Sequence, residues 1–419
     1  MDALIRNITI TFTTVSVAVA LAIAVYHWIL MIVAACSQPS QAPAKSDPAH
    51  SFAIVIPAHD EEAMLAHTLD SCEALDYPES KRAVYVIADN CSDRTAALAR
   101  ARGAHCLVRS DPEHRGKGFA LAWALPQIVD AGHDAVLVLD ADCQIDSHAL
   151  KAFDERLARG ARVLQANDVV ANPDASATSY LLAVANLLEN DCFYAPKSQL
   201  GLAVFLRGTG MVFHRDILRR FPWQADSLVE DVEYTCQLIE AGQRVHFVRT
   251  VRVESDFPVG RDQLTVQRSR WVGGGLQMAA ARAPRLIRQC LKTGRPALLD
   301  AAVTMLMTSR PVIIGQVFVT GTLAAWCHWL WPNAWTSLLV AASLVVAAGY
   351  VVYAALGVAL LGLSLRRLEL LLRLPISLVA YLYVAVRGFA RGNASGWRRT
   401  PRIDYPPEAG PLTGGRNRC

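Results

Sequence analysis

The stretch AVLVLDAD, residues 135–142, indicates both a fold and a site. Its first five residues form a short apolar run, as expected of a strand buried on both faces. Asp140 and Asp142 follow that strand two residues apart, and side chains two apart along a strand face the same way. Two carboxylates on one side can hold a hard divalent cation, Mg²⁺ or Mn²⁺, because these ions prefer oxygen ligands. A D-x-D sequence is also common in solvated turns, but its place directly after an apolar strand favours a metal site.

Short apolar runs and helix-like stretches alternate upstream of this strand. The predicted strands are 52–57, 83–88, 106–108 and 135–139, and the predicted helices are 61–75, 93–101 and 118–131. This alternation predicts an α/β domain with a mostly parallel sheet, covered by helices on both faces. Ligands of such sheets bind at the carboxyl ends of the strands. Asp60, Asp89 and Asp140 fall at those ends, so we expect the ligand site there.

Two further segments offer polar groups to a nucleotide. Asp89 ends the second strand, where a carboxylate can accept a hydrogen bond from a base N–H, while Ser92 or Asp93 can cap the next helix. Lys117 is flanked by two glycines, which let the backbone approach a ligand, and a lysine is a compact partner for phosphate. The spacing is not that of a Walker loop, and as a lone turn this segment would indicate little.

Two downstream segments carry candidate catalytic and binding residues. Glu230, Asp231 and Glu233 open an amphipathic helix, where the helix dipole favours acids. The chemical alternative is a carboxylate that acts as a general base. Arg270 and Trp271 stand side by side, so a guanidinium could pair with a diphosphate while the indole stacks on a sugar or base. The structural alternative is an ordinary basic helix face just before the membrane.

The composition of the 419-residue chain argues against a wholly soluble protein and against disorder. Hydrophobic residues make up 53%, charged residues 19%, and the mean hydropathy is +0.25. The net charge of +4 is too weak to favour a nucleic-acid partner, and about ten arginines against three acids are concentrated after residue 365. A basic segment after a long apolar run is typical of the cytoplasmic side of a membrane protein. The ten cysteines form no C-x-x-C pair, which fits a reducing cytoplasm better than a disulfide framework.

Two uncharged segments are long enough to span a bilayer, and a third apolar segment follows them. Residues 7–36 contain no charged residue and predict an N-terminal anchor; a cleaved signal peptide with a lipobox-like site at 34–37 is the alternative. The uncharged run 311–365 is interrupted by the turn sequence WPNAW and predicts spans near 312–331 and 336–362. Residues 370–386 contain an arginine and a proline, and a fourth span there would place the Arg-rich tail outside, against the positive-inside rule, so we expect an interfacial or re-entrant helix.

These segments predict the organisation of the chain. The expected order is an anchor at 1–36, a linker at 37–50, a catalytic domain at 51–280, interfacial helices at 281–310, two spans at 311–365, and an interfacial helix with a basic tail at 366–419. The positive-inside rule places the N-terminus outside, with the domain and the tail in the cytoplasm.

In this order the motifs resemble those of the membrane-embedded glycosyltransferases of family 2, which have a GT-A fold. That group includes cellulose, chitin, hyaluronan and poly-N-acetylglucosamine synthases and some enzymes that glycosylate lipids. The segments that carry the resemblance are IPAHDEE at 56–62, Asp89, Lys117, the D-x-D pair, FLRGTG at 205–210, Glu230-Asp231, Q-x-x-R-W at 267–271 and WRRTPR at 397–402. The resemblance covers residues 50–280 well and the membrane part only in layout.

The resemblance implies roles for individual residues. Asp231 would be the catalytic base, and Asp140 and Asp142 would hold Mg²⁺ or Mn²⁺. The residues implied in nucleotide-sugar binding are Pro57, Ala58, Asp60, Glu62, Asp89, Lys117, Asp140 and Arg270. Those implied in acceptor binding are Gly208, Thr209, Gly210, Glu230, Gln267 and Trp271. The sequence departs from the family pattern at Asp60, Ala88, Trp123 and Val229, none of which removes a metal or base carboxylate.

Three functions stay open at this point. The first is an inverting synthase that builds a β-linked exopolysaccharide from a nucleotide sugar, expected to be a UDP-sugar, at a bacterial inner membrane; Q-x-x-R-W favours it. The second is transfer of one sugar to a membrane lipid. The small number of spans, about three, favours this second function, because one chain has few helices with which to line an export channel. An accessory subunit or a homo-oligomer would have to supply the rest. The third is a non-catalytic sugar-nucleotide sensor, against which the intact acids argue.

Overall fold

The fold is taken from a computed structural model, which describes residues 2–37, 47–224, 227, 229–257, 261–307 and 310–373. The side chains of residues 2, 261–272 and 310–312 are not part of that description. The predicted linker at 37–50 and the predicted helix at 370–386 therefore lie largely outside it, as does the basic tail.

An eight-stranded sheet forms the centre of the fold. Its strands are β1 (Phe52–Ala58), β2 (Arg82–Asp89), β3 (His105–Arg109), β4 (Ala135–Val138), β5 (Cys143–Ile145), β6 (Val163–Val170), β7 (Met211–His214) and β8 (Val245–Ser255). Their order across the sheet is β3-β2-β1-β4-β7-β6-β8-β5. Strands β1 to β4 are parallel, β6 is parallel to β8, and β7 and β5 run antiparallel to their neighbours. The predicted α/β class with a mostly parallel sheet is confirmed.

Helices cover both faces of the sheet and extend beyond it. In the domain they are α2 (Leu65–Glu73), α3 (Thr95–Ala101), α4 (Lys117–Asp130), α5 (Ala149–Ala158), α6 (Ala177–Glu189), α7 (Ala195–Leu200), α8 (Arg215–Arg220) and α9 (Glu230–Glu240). The others are α1 (Asp2–Cys36), α10 (Arg261–Thr293), α11 (Pro296–Leu306), α12 (Arg310–Leu330) and α13 (Ala334–Leu361). Two large apolar clusters, one on each face, bury the sheet and supply most of the hydrophobic stabilisation.

The helix predicted at 61–75 begins four residues late, at Leu65. Asp60 has a left-handed φ of +54°, which breaks the chain direction after β1. Residues 61–64 then form a turn closed by the Leu65 N–H on the Glu61 carbonyl at 2.9 Å. Periodicity of apolar residues cannot report such a backbone reversal.

Asp140 and Asp142 follow a strand, as predicted, but strand alternation does not place their side chains on one side. β4 ends at Val138, and Asp140-Ala141-Asp142 forms a turn that leads into β5. The Cys143 N–H closes this turn on the Asp140 carbonyl at 3.2 Å. The two carboxylates are therefore brought together by a turn and not by strand alternation.

Within the part of the chain that the structure describes, three helices are long and apolar enough to cross a membrane: Ala3–Cys36, Ile313–Leu330 and Ala334–Leu361. They match the three predicted spans. The predicted turn before the last of them is a capping box, in which the Asn333 side chain accepts the Thr336 N–H at 3.0 Å. At 1.5 Å per residue, α1 is about 50 Å long and exceeds the roughly 30 Å of a hydrocarbon core.

The C-terminal part of α1 packs on α7 and α11. Tyr26 donates a hydrogen bond to Asp300 of α11, and Ser37 donates one to Gln199 of α7 at 2.6 Å. Helix α6 packs on α13, where a Cβ added to Gly357 would lie 2.7 Å from Leu188. The domain and the apolar helices are thus joined through α1, α6, α11 and α13.

Candidate active site

The D-x-D turn holds its carboxylates together next to a buried thiol. Ligand atoms of Asp140, Asp142 and Cys143 lie within 4.8 Å of one another. Thr209 supports the turn, because its hydroxyl accepts the Asp140 N–H at 3.1 Å and donates to the Cys143 sulfur at 3.5 Å. Burial raises the pKa of the Cys143 thiol well above its usual range, so it stays protonated. Two carboxylates without a thiolate suit Mg²⁺ or Mn²⁺.

Lys117 lies between the D-x-D turn and the start of α9. It is the first residue of α4, and its ammonium donates hydrogen bonds to Asp140 and to the Gly208 carbonyl, the latter at 2.7 Å. Burial alone would lower its pKa, but the charges of Asp140, Glu230 and Asp231 outweigh burial and raise the pKa. Lys117 therefore carries a full positive charge in the middle of three acids.

Asp231 lies in the first turn of α9 and faces the same centre. A Cβ added to Gly208 would lie 3.6 Å from both the Asp231 carboxylate and the Lys117 ammonium. Burial raises the pKa of Asp231, against the lowering effects of the Val232 N–H, which it accepts at 2.8 Å, and of Lys117 and Arg207. A buried carboxylate with a raised pKa accepts protons more readily than an exposed one, which suits a general base.

Glu233 lies on the same helix but has a different environment. Its carboxylate pairs with Arg282 of α10 at 2.8 Å. This ion pair fastens α9 to α10, and Glu233 is therefore a structural acid.

The acids at the ends of β1 and β2 are engaged by the chain itself. Asp60 accepts the Ser92 N–H at 2.6 Å and the Asp93 N–H at 3.2 Å; burial would raise its pKa, but these hydrogen bonds lower it. Glu62 accepts the Arg94 N–H at 3.0 Å. These contacts hold the loop after β2 against the loop after β1, which Pro57 and Ala58 lead into at the end of β1.

Asp89 is buried and paired, which the sequence did not indicate. Its carboxylate accepts from the Arg109 guanidinium at 2.6 Å and from the Asn90 amide at 3.0 Å. Arg109 also pairs with Asp111 at 2.7 Å. Arg109 ends β3, so the rule that places ligand groups at carboxyl ends of strands could have found it. Asp93 accepts the Thr95 N–H at 2.9 Å, but the N-cap of α3 is Arg94, which makes no side-chain capping bond, so the predicted capping by Ser92 or Asp93 is not seen.

Lys117, Asp140, Glu230 and Asp231 together form what we call the charged centre. The segment implied in acceptor binding lies next to it. Gly208 and Gly210 have positive φ angles, and a Cβ on Gly210 would lie 2.7 Å from Ala166. The amide of Gln165 donates to the Thr209 carbonyl at 2.8 Å and accepts the Arg207 N–H at 2.9 Å. Glu230 is half-buried beside Lys117, and its charge raises the pKa of Lys117. Only glycine fits this tight path, so the loop is shaped to bring Gly208 close to Asp231.

Gln267, Arg270 and Trp271 fall in α10, but their side chains lie outside the described ones. Their implied roles stay predictions.

Comparison with known proteins supports the fold and the family. Residues 48–274, more than half of the chain, match the model named Glycosyltransferase like family 2. The chain is 29% identical to the Beta-monoglucosyldiacylglycerol synthase of Trichormus variabilis over 235 residues, 54% of this chain and 48% of that protein. It is 25% identical to the Probable glycosyltransferase YdaM of Bacillus subtilis over 236 residues, 53% of this chain and 54% of that protein. The chain spans about half the length of these curated relatives.

A solved structure is similar over nearly the whole chain. It is the mannosyltransferase PcManGT of Pyrobaculum calidifontis, determined with GDP-Man and Mn²⁺, with a TM-score of 0.56 and 18% identity over 92% of this chain and 99% of that one. At this identity the likeness bears on the fold alone.

Proposed function

The chain belongs to the glycosyltransferase-like family 2, and from that premise we propose that it transfers one sugar, with inversion, from a nucleotide sugar to a membrane lipid. Membership of the family confirms the broader resemblance, whereas the closer likeness to polysaccharide synthases stays a prediction. The observation that carries the proposal is the meeting of Lys117, the D-x-D turn and Asp231 at one point of a domain that packs on apolar helices.

A divalent cation fits the donor set of the D-x-D turn. Asp140 and Asp142 would hold Mg²⁺ or Mn²⁺, since their oxygen atoms lie close together and the neighbouring thiol is protonated. Such an ion, when bound, would neutralise charge on the leaving diphosphate.

The charged residues around this ion would stabilise the leaving group and remove the acceptor proton. The Lys117 ammonium would hold the donor diphosphate and offset its growing negative charge as the bond to the sugar breaks. Asp231 would take the proton from the acceptor hydroxyl, whose oxygen forms a bond to C1 of the sugar from the opposite face. The C1–phosphate bond breaks, the nucleoside diphosphate leaves, and an α-linked donor gives a β-linked product.

The lipid acceptor is favoured by the way the site meets the apolar helices. Helix α6 lies beside β6 and packs on α13, and the segment that follows it contacts α1 through Phe193 and His27, whose ring centroids are 5.5 Å apart. An acceptor held in the bilayer would then approach Asp231 from the side of α6. The similarity to a monoglucosyldiacylglycerol synthase points the same way.

The catalytic side is proposed to be cytoplasmic at a bacterial inner membrane. Arg367 follows α13, donates to the carbonyls of Leu361 and Gly362, and pairs with Asp174 of the domain at 2.7 Å. The domain is thus tied to the basic end of the last span, which the positive-inside rule assigns to the cytoplasm.

Polysaccharide synthesis is the second candidate, favoured by the Q-x-x-R-W sequence at 267–271. The acids of the charged centre argue against a sensor without catalysis, because three carboxylates and a lysine at one point suit a reaction better than binding alone.

The test is to incubate membranes that contain the full chain with a panel of labelled nucleotide sugars, both UDP- and GDP-linked. The proposal predicts one donor whose label becomes lipid-extractable as a single sugar. Label that is recovered instead as a polymer would support the second candidate, and binding of a donor without any transfer would support the sensor.

A further inference from the structure

The C-terminal end of α10 has one face that stays exposed in the described part of the chain. Ile287 and Leu291 lie four residues apart on it, and Leu291 is 83% exposed. Arg288 and Lys292, each one position farther along the helix, are exposed beside them. Residues four apart are neighbours on a helix surface, so an apolar stripe runs next to a basic stripe. We call these four residues the α10 face.

The charge of the segment that carries the α10 face has one sign. Residues 263–299 contain seven arginines and lysines and no aspartate or glutamate. Arg288 and Lys292 therefore have no acid within reach on their own helix. An exposed surface of this composition attracts an anionic partner, and the apolar stripe beside it favours a partner that also offers apolar contact.

Helix α10 is fastened to the helix that carries the proposed base. Arg282 pairs with Glu233 at 2.8 Å, and Arg285 pairs with Glu240 at 3.0 Å. Both acids belong to α9, whose first turn contains Asp231. A surface that binds the α10 face would therefore also hold α9 and the proposed base in a fixed position relative to that surface.

The helix pair α10 and α11 lies near the level at which the spans enter the membrane. Ala24 of α1 clusters with Val317, which lies near the start of α12. Tyr26, two residues beyond Ala24, donates a hydrogen bond to Asp300 of α11. Asp300 is therefore level with the start of the span, on the side of the membrane that carries the catalytic domain. Helix α10 packs on α11 and so lies beside the same leaflet.

We infer that the α10 face docks on anionic phospholipids of the leaflet next to the catalytic domain. Arg288 and Lys292 pair with lipid phosphates, while Ile287 and Leu291 enter the boundary between headgroups and acyl chains. These lipids are bound and not glycosylated, so the inference goes beyond the proposed transfer reaction. It also gives the interfacial helices predicted at 281–310 a defined face and a lipid class.

The experiment measures amide hydrogen exchange of residues 285–295 in the full chain, with one copy in each lipid nanodisc. The discs contain either phosphatidylcholine alone or phosphatidylcholine mixed with phosphatidylglycerol. Each cation near an anionic surface strengthens docking about fivefold, so the two together should slow exchange by up to about 25-fold in the anionic discs. High salt should cancel most of this difference, because it screens the lipid charge.

Two variants separate the basic stripe from the apolar stripe. Arg288→Gln combined with Lys292→Gln should remove the difference between the two kinds of disc, whereas Leu291→Gln should weaken protection in both. The substituted positions are exposed, so melting temperatures should not change. Arg100→Gln combined with Arg102→Gln is the matched control, because it removes the same charge from α3, which packs on β2 and β3.

Three results would overturn the inference. The first is equal exchange in neutral and anionic discs. The second is protection that needs two copies in a disc, which would make the α10 face a contact between copies of the chain. The third is a control variant that loses as much protection as the variant of the α10 face, because net charge would then be responsible. The readout needs neither donor nor acceptor, so the proposed function survives each of these results and is tested separately by the labelled product.

Discussion

Two regions of the site carry carboxylates, and the chain treats them in opposite ways. At the ends of β1 and β2, Asp60 and Glu62 accept backbone N–H groups, and Asp89 pairs with Arg109. At the centre, Asp140 and Asp231 share one lysine, and burial raises the pKa of Asp231. The acids at the strand ends hold loops in place. The acids at the centre remain able to bind a metal ion or to accept a proton.

The comparison shows that a motif can mix two physical roles. Asp60 and Asp140 were both predicted to bind the nucleotide sugar, yet Asp60 has a lowered pKa because the next loop donates to it. A stabilised carboxylate is a weak base, and a desolvated one is a stronger base.

The largest effect is expected for Asp142→Asn. Loss of one of two anionic metal ligands should lower the transfer rate about 10³-fold, because metal stabilisation of the leaving group contributes several kcal/mol and each 1.36 kcal/mol is tenfold. The measurement is transfer by purified protein across a Mg²⁺ and Mn²⁺ titration. Full turnover in excess chelator would show that transfer does not need a metal ion.

The pH dependence of transfer should follow Asp231. A base works only when deprotonated, so the rate should fall about tenfold per pH unit below the raised pKa, and the acid limb should lie above the ordinary range of a carboxyl group. The pH–rate profile at saturating donor measures this. An acid limb at or below the ordinary range would show that burial does not control the base.

The smallest effect is expected for Asp60→Asn. The folded pKa of Asp60 is lowered, so its charge stabilises the protein above its unfolded pKa, and this contribution disappears as pH falls through the folded pKa. The substitution should lower the unfolding free energy at neutral pH by about 1 kcal/mol, with a few-fold rise in donor KM.

Asp231→Asn is the matched contrast for stability. The folded pKa of Asp231 is raised, so its ionised form costs stability once pH exceeds that pKa, and the amide should stabilise the protein at neutral pH. Melting temperatures of the two variants should therefore move in opposite directions. Shifts of the same sign would erase the proposed difference between the two regions.

The fold was largely predictable because its strands are apolar and short. The predicted strand 52–57 corresponds to β1, and 83–88 lies within β2, since a strand buried on both faces has little choice of composition. The antiparallel β7 and the late start of α2 were not predicted. The first depends on a long-range pairing with β4, and the second on the positive φ of Asp60.

The site was predictable as a set of residues but not as a set of contacts. The sequence placed Lys117, Asp140, Asp142 and Asp231 in one site through their motifs. It did not indicate the Arg109–Asp89 and Arg207–Asp168 ion pairs, because an isolated arginine has no pattern that reveals its partner. These ion pairs join residues 20 and 39 positions apart, and only the fold brings them together.

The most direct test of the central claim compares Asp231→Asn with Glu233→Gln, two acids of α9 in different environments. Transfer rate and donor affinity are measured on both variants. If Asp231 is the base, Asp231→Asn should lower the transfer rate at least about 10²-fold with little change in donor affinity. Glu233→Gln should keep the transfer rate and lose only the ion pair with Arg282. A rate loss confined to Glu233→Gln, or an Asp231→Asn variant that transfers sugar at the wild-type rate, would contradict the account.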